Sequence, residues 1–342
     1  MARIAFYTQT YNVEKYIEKA IDSVLSQTYT DFVYYISDNN SSDRTCDVLK
    51  KYADTDERII LTLDKDKPNL KLYQDSLEVI TNSDHEFLAI LDHDDWYEPT
   101  FAQAMILALD EFDVDMAGCC TASFHDTTGQ SLPRHIGASL VYSRDYVLKN
   151  YFSIWVHISA VWGKVFRISV IRENKIRLTD IYAGIDTLYV LEFSLCARSI
   201  FLSDIVLHNY RKVEGSYTSK YNKGKLISTR EYIDYGMMLF EKQNALTDNI
   251  INSYYQFYTT SINRDVQLLF NSNLSFNDKI KEISEFISYQ ETVEQNILDK
   301  RFKDTLLSWI LASKANLKKS KSSFVEIAKL QVLEKKVQKT LG

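Results

Sequence analysis

Apolar positions along the chain follow two rhythms, and the change from one to the other comes near residue 225. Short continuous apolar runs come first, at 3–8, 32–36, 59–63 and 87–91, the last reading Phe87-Leu88-Ala89-Ile90-Leu91. Runs this short and this apolar predict strands buried on both faces of a parallel sheet. Between them the spacing lengthens to that of helices, over about 14–27, 44–53 and 70–82, with Ile17, Ala20, Ile21, Val24 and Leu25 forming the first buried stripe. A helix is expected over 101–110, a strand over 114–124, and a polar loop over 125–137 with Gly129, Pro133 and Gly137. Such alternation describes a doubly wound α/β sheet, in which ligands bind beyond the carboxyl ends of the strands. Past residue 225 the strand-like runs stop. Helical spacings take over, from Leu226, Ile233, Met237 and Phe240 through Tyr254 and Phe257, Ile280 and Ile283, and Val293 and Ile297, to Val337 and Leu341. They predict an appended helical bundle over 225–342.

The strands end in polar turns: Gln9-Thr10-Tyr11-Asn12, Ser37-Asp38-Asn39-Asn40 and Asp92-His93-Asp94-Asp95. On a doubly wound topology Thr8, Asp38 and Asp92–Asp95 share one crevice. Carboxylates as close as Asp92, Asp94 and Asp95 repel one another, and hard oxygen donors at this spacing suit Mg²⁺ or Mn²⁺ bridging to a substrate's phosphates. The bland alternative is a solvated acidic turn, and the shared crevice argues against it.

Composition narrows the partners. A net charge of −6 argues against a general nucleic-acid footprint. The four cysteines, Cys46, Cys119, Cys120 and Cys196, show no metal-type spacing and read as reduced thiols of a cytoplasmic protein. The N-terminus enters strand-like sequence directly, without the apolar core of a signal peptide. No apolar run approaches the roughly 20 residues needed to span a bilayer. Lys314, Lys318, Lys319, Lys321, Lys329, Lys335, Lys336 and Lys339 make a basic amphipathic end. It suits peripheral contact with an anionic membrane or, preferably, a solvated helix face whose apolar stripe packs on the bundle or on a second copy.

Three marks in order resemble a family 2 glycosyltransferase with the GT-A fold. Thr8-Gln9-Thr10-Tyr11-Asn12 is similar to that family's opening turn, the stretch 37–45 (Ser-Asp-Asn-Asn-Ser-Ser-Asp-Arg-Thr) to its acidic nucleotide-binding block, and Asp92-His93-Asp94-Asp95-Trp96 with Pro99 to its Asp-x-Asp metal motif. Trp162-Gly163-Lys164 resembles a later segment, followed by Ala183-Gly184-Ile185-Asp186 where the family has its catalytic base. The stretch from Tyr210-Arg211 to Gly215-Ser216-Tyr217-Thr218 resembles its closing segment. There are departures: Gln9 stands for proline, Asn39 for the second acid of a pair, Ile185 for glutamate, and Gln74-Asp75 where an arginine–asparagine pair is usual.

The resemblance implies a catalytic domain over 1–220, a Rossmann-like, mostly parallel sheet with helices on both faces, and a helical domain over 225–342. It implies inverting transfer of a hexose from a nucleotide sugar, UDP-glucose or UDP-galactose first, to a hydroxyl of a glycan or glycoprotein acceptor. Asp92 and Asp94 would hold Mn²⁺ or Mg²⁺, with His208 as a further ligand. Thr8, Tyr11, Asp38, His93 and Arg211, with Asp92, would hold the donor, and Asp186 would be the base. Asp186 also suits an N-terminal helix cap, and His125, Arg134 and His135 suit either an acceptor contact or a solvated loop. Two other classes stay open: a nucleotide-sugar-binding scaffold with weakened catalysis, and an unrelated Mg²⁺-dependent nucleotidyltransferase, which lacks a Walker-type loop here.

Overall fold

The computed structural model describes residues 2–64, 66, 69–181, 184–213, 220–292, 306–311, 313–314 and 324–340. The expectations placed on Ala183, Gly215-Ser216-Tyr217-Thr218, Val293, Ile297, Lys318, Lys319, Lys321 and Leu341 lie outside the described residues. Two units divide the chain: Met1–Asp180 with Ile185–Glu214, and Ile181–Gly184 with Gly215–Gly342.

The first unit is built on one sheet. Strands β1 (Ile4–Thr10), β2 (Phe32–Asp38), β3 (Ile59–Leu63) and β4 (Phe87–Ile90) alternate with helices α1 (Ile17–Leu25), α2 (Thr45–Thr55) and α3 (Asn69–Thr81). They lie in the order β3-β2-β1-β4, every neighbour parallel. The runs of β1 and β4 have the predicted cause: Ile4, Phe6, Phe87 and Ala89 are buried with the α1 stripe of Ile17, Ala20, Ile21 and Val24 in one core, whereas β3, at the sheet edge, buries only Ile59 and leaves Ile60 and Leu63 exposed.

Beyond β4 the sheet departs from a purely doubly wound plan. After the short β5 (Trp96–Tyr97) and helix α4 (Phe101–Glu111) come β6 (Met116–His125), β7 (Ser131–Arg134), β8 (Leu140–Ser143), helix α5 (Arg144–Ile158), β9 (Lys164–Arg167), helices α6 (Ile168–Asn174) and α7 (Ile185–Cys196), and β10 (Ser199–Lys212). Strand β9 enters antiparallel between β4 and β6, and β6 and β10 then run parallel. The expected loop over 125–137 contains a strand. Residues of β7 pair antiparallel with β6, Thr121 opposite Arg134 and Phe124 opposite Ser131. All four β7 residues are exposed, so no apolar alternation marks them.

The second unit holds helices α8 (Lys225–Lys242), α9 (Asp248–Asn271), α10 (Phe276–Thr292) and α11 (Phe324–Thr340). Helix α8 packs on α9 and α10, and α10 on α11. A buried hydrogen bond, 2.7 Å from the Thr229 hydroxyl to Asp265, joins α8 to α9. Among the described residues no helix is long and apolar enough to cross a membrane.

Close approach of α8 to α9 rests on Gly236. A Cβ there would fall 2.3 Å from the hydroxyl of Tyr254, whose ring is buried and has little room to yield. Gly236→Ala should therefore destabilise the protein by about 1–3 kcal/mol through overpacking, despite alanine's better helix propensity. Urea unfolding followed by helical circular dichroism checks this, and a variant as stable as wild type would show that the helices part freely.

Candidate active site

The acidic turn begins where β4 ends. Leu91 still donates its N–H to the Tyr7 carbonyl at 3.0 Å, and the Asp95 N–H then closes the turn onto the Asp92 carbonyl at 3.1 Å. Within this turn Asp95 and Asp92 part company.

Asp95 points into the protein. Its Oδ1 accepts the backbone N–H of Arg211 at 2.8 Å, and its Oδ2 lies 3.2 Å from His208 Nε2, both side chains fully buried. That last pair is out of line for a hydrogen bond. Burial and the neighbouring Asp94 charge push Asp95 well above the usual carboxylate range, while burial and Lys164 push His208 well below its ordinary value. Both shifts favour the uncharged forms. The imidazole is further fixed by Thr121 Oγ1 at 3.2 Å from Nδ1 and by Trp162, stacked at 4.5 Å between ring centres.

Asp92 instead faces a cavity of about 150 Å³, lined with it by Tyr11, Asn69, Tyr73, His93 and Asp186 among others. Asp186 stands in the first turn of α7, which brings it to the end of β4 from far along the chain. Burial, then the charge of Asp186, then those of Asp95 and Asp94, push Asp92 well above the carboxylate range. Burial raises Asp186 to about 6. Two recessed carboxylates in one small cavity form an oxygen-only donor set with an unmet need for positive charge.

The other expected residues divide. Tyr11 is 52% exposed at the cavity, free to stack on a flat ligand. His93 also lines it, its Nδ1 3.1 Å from the Gln9 carbonyl. Thr8 does not reach the cavity. It is wholly buried, its hydroxyl donating to the Leu91 carbonyl at 2.8 Å and meeting the Tyr34 hydroxyl at 2.8 Å. Strand alternation turns it into the sheet, away from the crevice. Asp38 is 1% exposed and takes hydrogen bonds from Thr10 Oγ1, the Ser41 N–H and hydroxyl, and Cys46 Sγ. It closes the β2–α2 turn onto β1. Arg211 is committed as well, to Asp126 at 2.6 Å and the Asp94 carbonyl at 2.9 Å, with its guanidinium over Trp96. His208 lies against Asp95, and the Asp94 charge also acts on it.

Sequence reasoning missed the residues that shape the cavity wall. Gln9 donates to both the carbonyl and the side-chain oxygen of Asn69, pinning the start of α3, and Tyr73 stacks on Tyr7 at 5.3 Å. Lys164 stands out in the sequence only as part of a motif; it is 2% exposed, donates to the Trp162 carbonyl at 3.2 Å, and is lowered to about 8 by burial.

Residues 7–173 match the family model described as glycosyl transferase family 2. That stretch, just under half of the chain, carries the likeness to glycosyl transferase family 2. The glycosyltransferase GlyA of Streptococcus pneumoniae is 23% identical over 222 residues, 63% of this chain and 31% of its own length, so the chain spans under a third of that relative. The putative glycosyltransferase EpsH of Bacillus subtilis is 23% identical over 246 residues, 71% of this chain and 68% of its own. Residues 1–349 of S. aureus TarS, solved in complex with UDP-GlcNAc, share the fold with a TM-score of 0.60 at 18% identity, covering 99% of this chain and 92% of that one.

Two outcomes follow from this geometry. Thr8→Val removes a buried hydroxyl with two partners and should cost about 1–2 kcal/mol in urea unfolding, with donor KM changed less than about twofold. A large rise in KM at unchanged stability would put Thr8 back in the donor site. The second outcome concerns charge. Asp92 and Asp186 bind protons more tightly folded than unfolded, so the metal-free protein loses stability as pH rises from the unfolded carboxylate range through about 6. Asp92→Asn should accordingly raise the melting temperature in EDTA at pH 8, the gain shrinking toward pH 4. A lower melting temperature at pH 8 would contradict the repulsion.

Proposed function

We propose that this family 2 glycosyltransferase moves a hexose from a UDP-sugar to a hydroxyl of a glycan acceptor in a single inverting displacement. The observation that carries the reading is the meeting of Asp92 and Asp186 in one cavity, with Asp186 raised to about 6. A base poised near neutrality accepts a proton from a hydroxyl without being permanently protonated itself. The amide ends of α7 lie beside Asp186 and favour its charged form, which keeps it a base at pH 7. The complex of TarS with UDP-GlcNAc supports a uridine diphosphate donor. UDP-glucose and UDP-galactose remain the first candidates beside it.

The donor set fits Mn²⁺ or Mg²⁺, since the charge that raises Asp92 is the charge a hard divalent ion would neutralise. Asp92 and Asp94 would hold the ion, which when bound supplies Lewis-acid stabilisation of the leaving diphosphate. Tyr11 offers its exposed ring to the base, and His93, its Nδ1 beside the Gln9 carbonyl, lines the same cavity. Arg211 acts one step removed: through its N–H on Asp95 and its guanidinium on the Asp94 carbonyl it holds the acidic turn in shape.

The same proposal places the protein in the cytoplasm, with glycoprotein or cell-surface polysaccharide acceptors, and gives the helical unit a role in self-association, acceptor binding or contact with an anionic membrane. Lys329 and Lys336 of α11 donate to Asn277 and the Ser284 carbonyl of α10, which supports a helix face used largely inside its own unit.

Asp186→Asn should lower kcat by about 10²–10⁴-fold while a UDP-sugar still binds, measured as UDP release with acceptor present. In the wild type the acid limb of kcat/KM should fall at or below about pH 6, because a bound cation shifts the carboxylates downward. EDTA should stop turnover until Mn²⁺ is restored. A wild-type rate in Asp186→Asn would overturn the assignment of the base.

A further inference from the structure

Away from the acidic cavity, three unlike side chains meet where β6, the β7–β8 connection and β10 converge. Cys120 Sγ, His135 Nδ1 and an Asp204 carboxylate oxygen all lie within 4.8 Å of one another. Asp204 Oδ1 is 3.8 Å from the sulfur and 3.4 Å from the imidazole nitrogen. We propose that this trio binds a thiophilic divalent cation of the zinc class, with water in the fourth position.

The donor chemistry argues for that class. One thiolate, one imidazole and one carboxylate, with a fourth place open, is a set that Zn²⁺ accepts, whereas Mg²⁺ and Mn²⁺ prefer oxygen alone. Ligand atoms about 2.0–2.3 Å from a tetrahedral ion lie roughly 3.2–3.8 Å apart. Two of the three separations are already there.

The surroundings orient the ligands. The N–H groups of Ile136 and Gly137 donate to Asp204 Oδ1 at 2.8 and 2.9 Å, fixing the carboxylate as partners outside a metal's ligand set commonly do. Gly137 takes φ +88° to turn that second amide inward. Asp204 itself sits in a break of β10, where pairing with β6 slips between Leu202 and Val206, and its own N–H is held by Ser139 Oγ at 2.9 Å. Such bulges re-aim a side chain out of the ladder. Burial pushes the Cys120 thiol up, the Ile136 amide works against that rise, and the Asp204 carboxylate adds to it until a cation stands between them.

Binding involves no redox step. The Cys120 S–H bond breaks, its electron pair stays on sulfur to form the sulfur–metal bond, and the proton leaves to solvent. His135 Nδ1 lies 3.2 Å from the Asp204 carbonyl in the structure, so binding exchanges that contact for the metal, and the neutral imidazole ligates through Nδ1 with its proton on Nε2. Affinity therefore rises with pH, up to about tenfold per unit while the thiol is protonated. The ion would tie the 135–139 segment to β10, the strand that also carries His208 and Arg211.

The test is titration of the untagged full chain, stripped with EDTA and dialysed, with Co²⁺ as a coloured stand-in for Zn²⁺. One Co²⁺ per chain should produce a thiolate-to-cobalt absorption in the near ultraviolet, displaced by Zn²⁺ but not by millimolar Mg²⁺. Cys120→Ser should abolish the band, and His135→Ala should weaken Co²⁺ binding by at least about tenfold. No thiolate band in the wild type, or a band that persists in Cys120→Ser, would overturn the proposal. Because His135 is largely exposed, His135→Ala remains decisive even if Cys120→Ser fails to fold: unchanged Co²⁺ affinity in it would overturn the site equally. None of these readouts depends on sugar transfer.

Discussion

Four carboxylates crowded at the ends of two elements constrain everything around the cavity. Asp92, Asp94 and Asp95 leave β4 together, and α7 delivers Asp186 to the same place. Like charges about 4 Å apart cost roughly 1 kcal/mol in water and about 4 kcal/mol at the effective dielectric of a protein surface. The fold therefore cannot leave all four charged and shielded. It separates them by environment: Asp95 goes inward against a neutral His208 and the Arg211 amide, while Asp92 and Asp186 keep facing one another across the cavity. The unrelieved repulsion is what gives that cavity its demand for a cation.

The amino-acid pattern made the parallel half of the sheet legible, because β1 and β4 are buried on both faces and β2 and β3 still run apolar with one face half-buried or exposed. The exposed β7 and the mostly exposed β8 carry no such signal, and pairing with β6 and β10 makes them strands. The crevice rule located the acidic cluster correctly at a strand end, but it works at the level of strands and not of side chains. Thr8 sits at the right end of β1 and faces the wrong way. The place of Asp186 at the cavity was legible only through its resemblance-based position after Trp162-Gly163-Lys164, since no local pattern brings the first turn of α7 to the end of β4. The pairing of Asp95 with His208 had no sequence signal at all, because it depends on β5 and β10 lying side by side.

Motif residues here divide between chemistry and architecture. Asp38 belongs to a nucleotide-binding block by resemblance, yet its oxygens are occupied by Thr10, Ser41 and Cys46. Asn12 and Asn40 take the left-handed conformation in the same region, at φ 52° and 57°, and Asn12 accepts from the Ser42 N–H. The β1 and β2 turns thus brace each other, which fixes the wall on which Tyr11 is displayed. A motif can persist because it shapes a site as much as because it touches a ligand.

Strand β10 shows where this protein can change length. Leu207 accepts the Glu98 N–H, His208 turns to Asp95, Asn209 reaches Glu98, and the Arg211 amide returns to Asp95, the pairing with β6 running in regular register from His208 onward. One inserted or deleted residue between 207 and 211 would swap the faces of every side chain beyond it. His208 or Arg211 would then meet solvent, and Asp95 would be left buried without its partners. The tip at 127–130, exposed and closed by local bonds among His125, Thr128, Gly129 and Gln130, lies beyond Asp126, the partner of Arg211, and has no such dependence. Natural or engineered insertions into this unit are thereby channelled toward the β6–β7 turn and away from β10, a constraint on lineage set by strand parity rather than by chemistry.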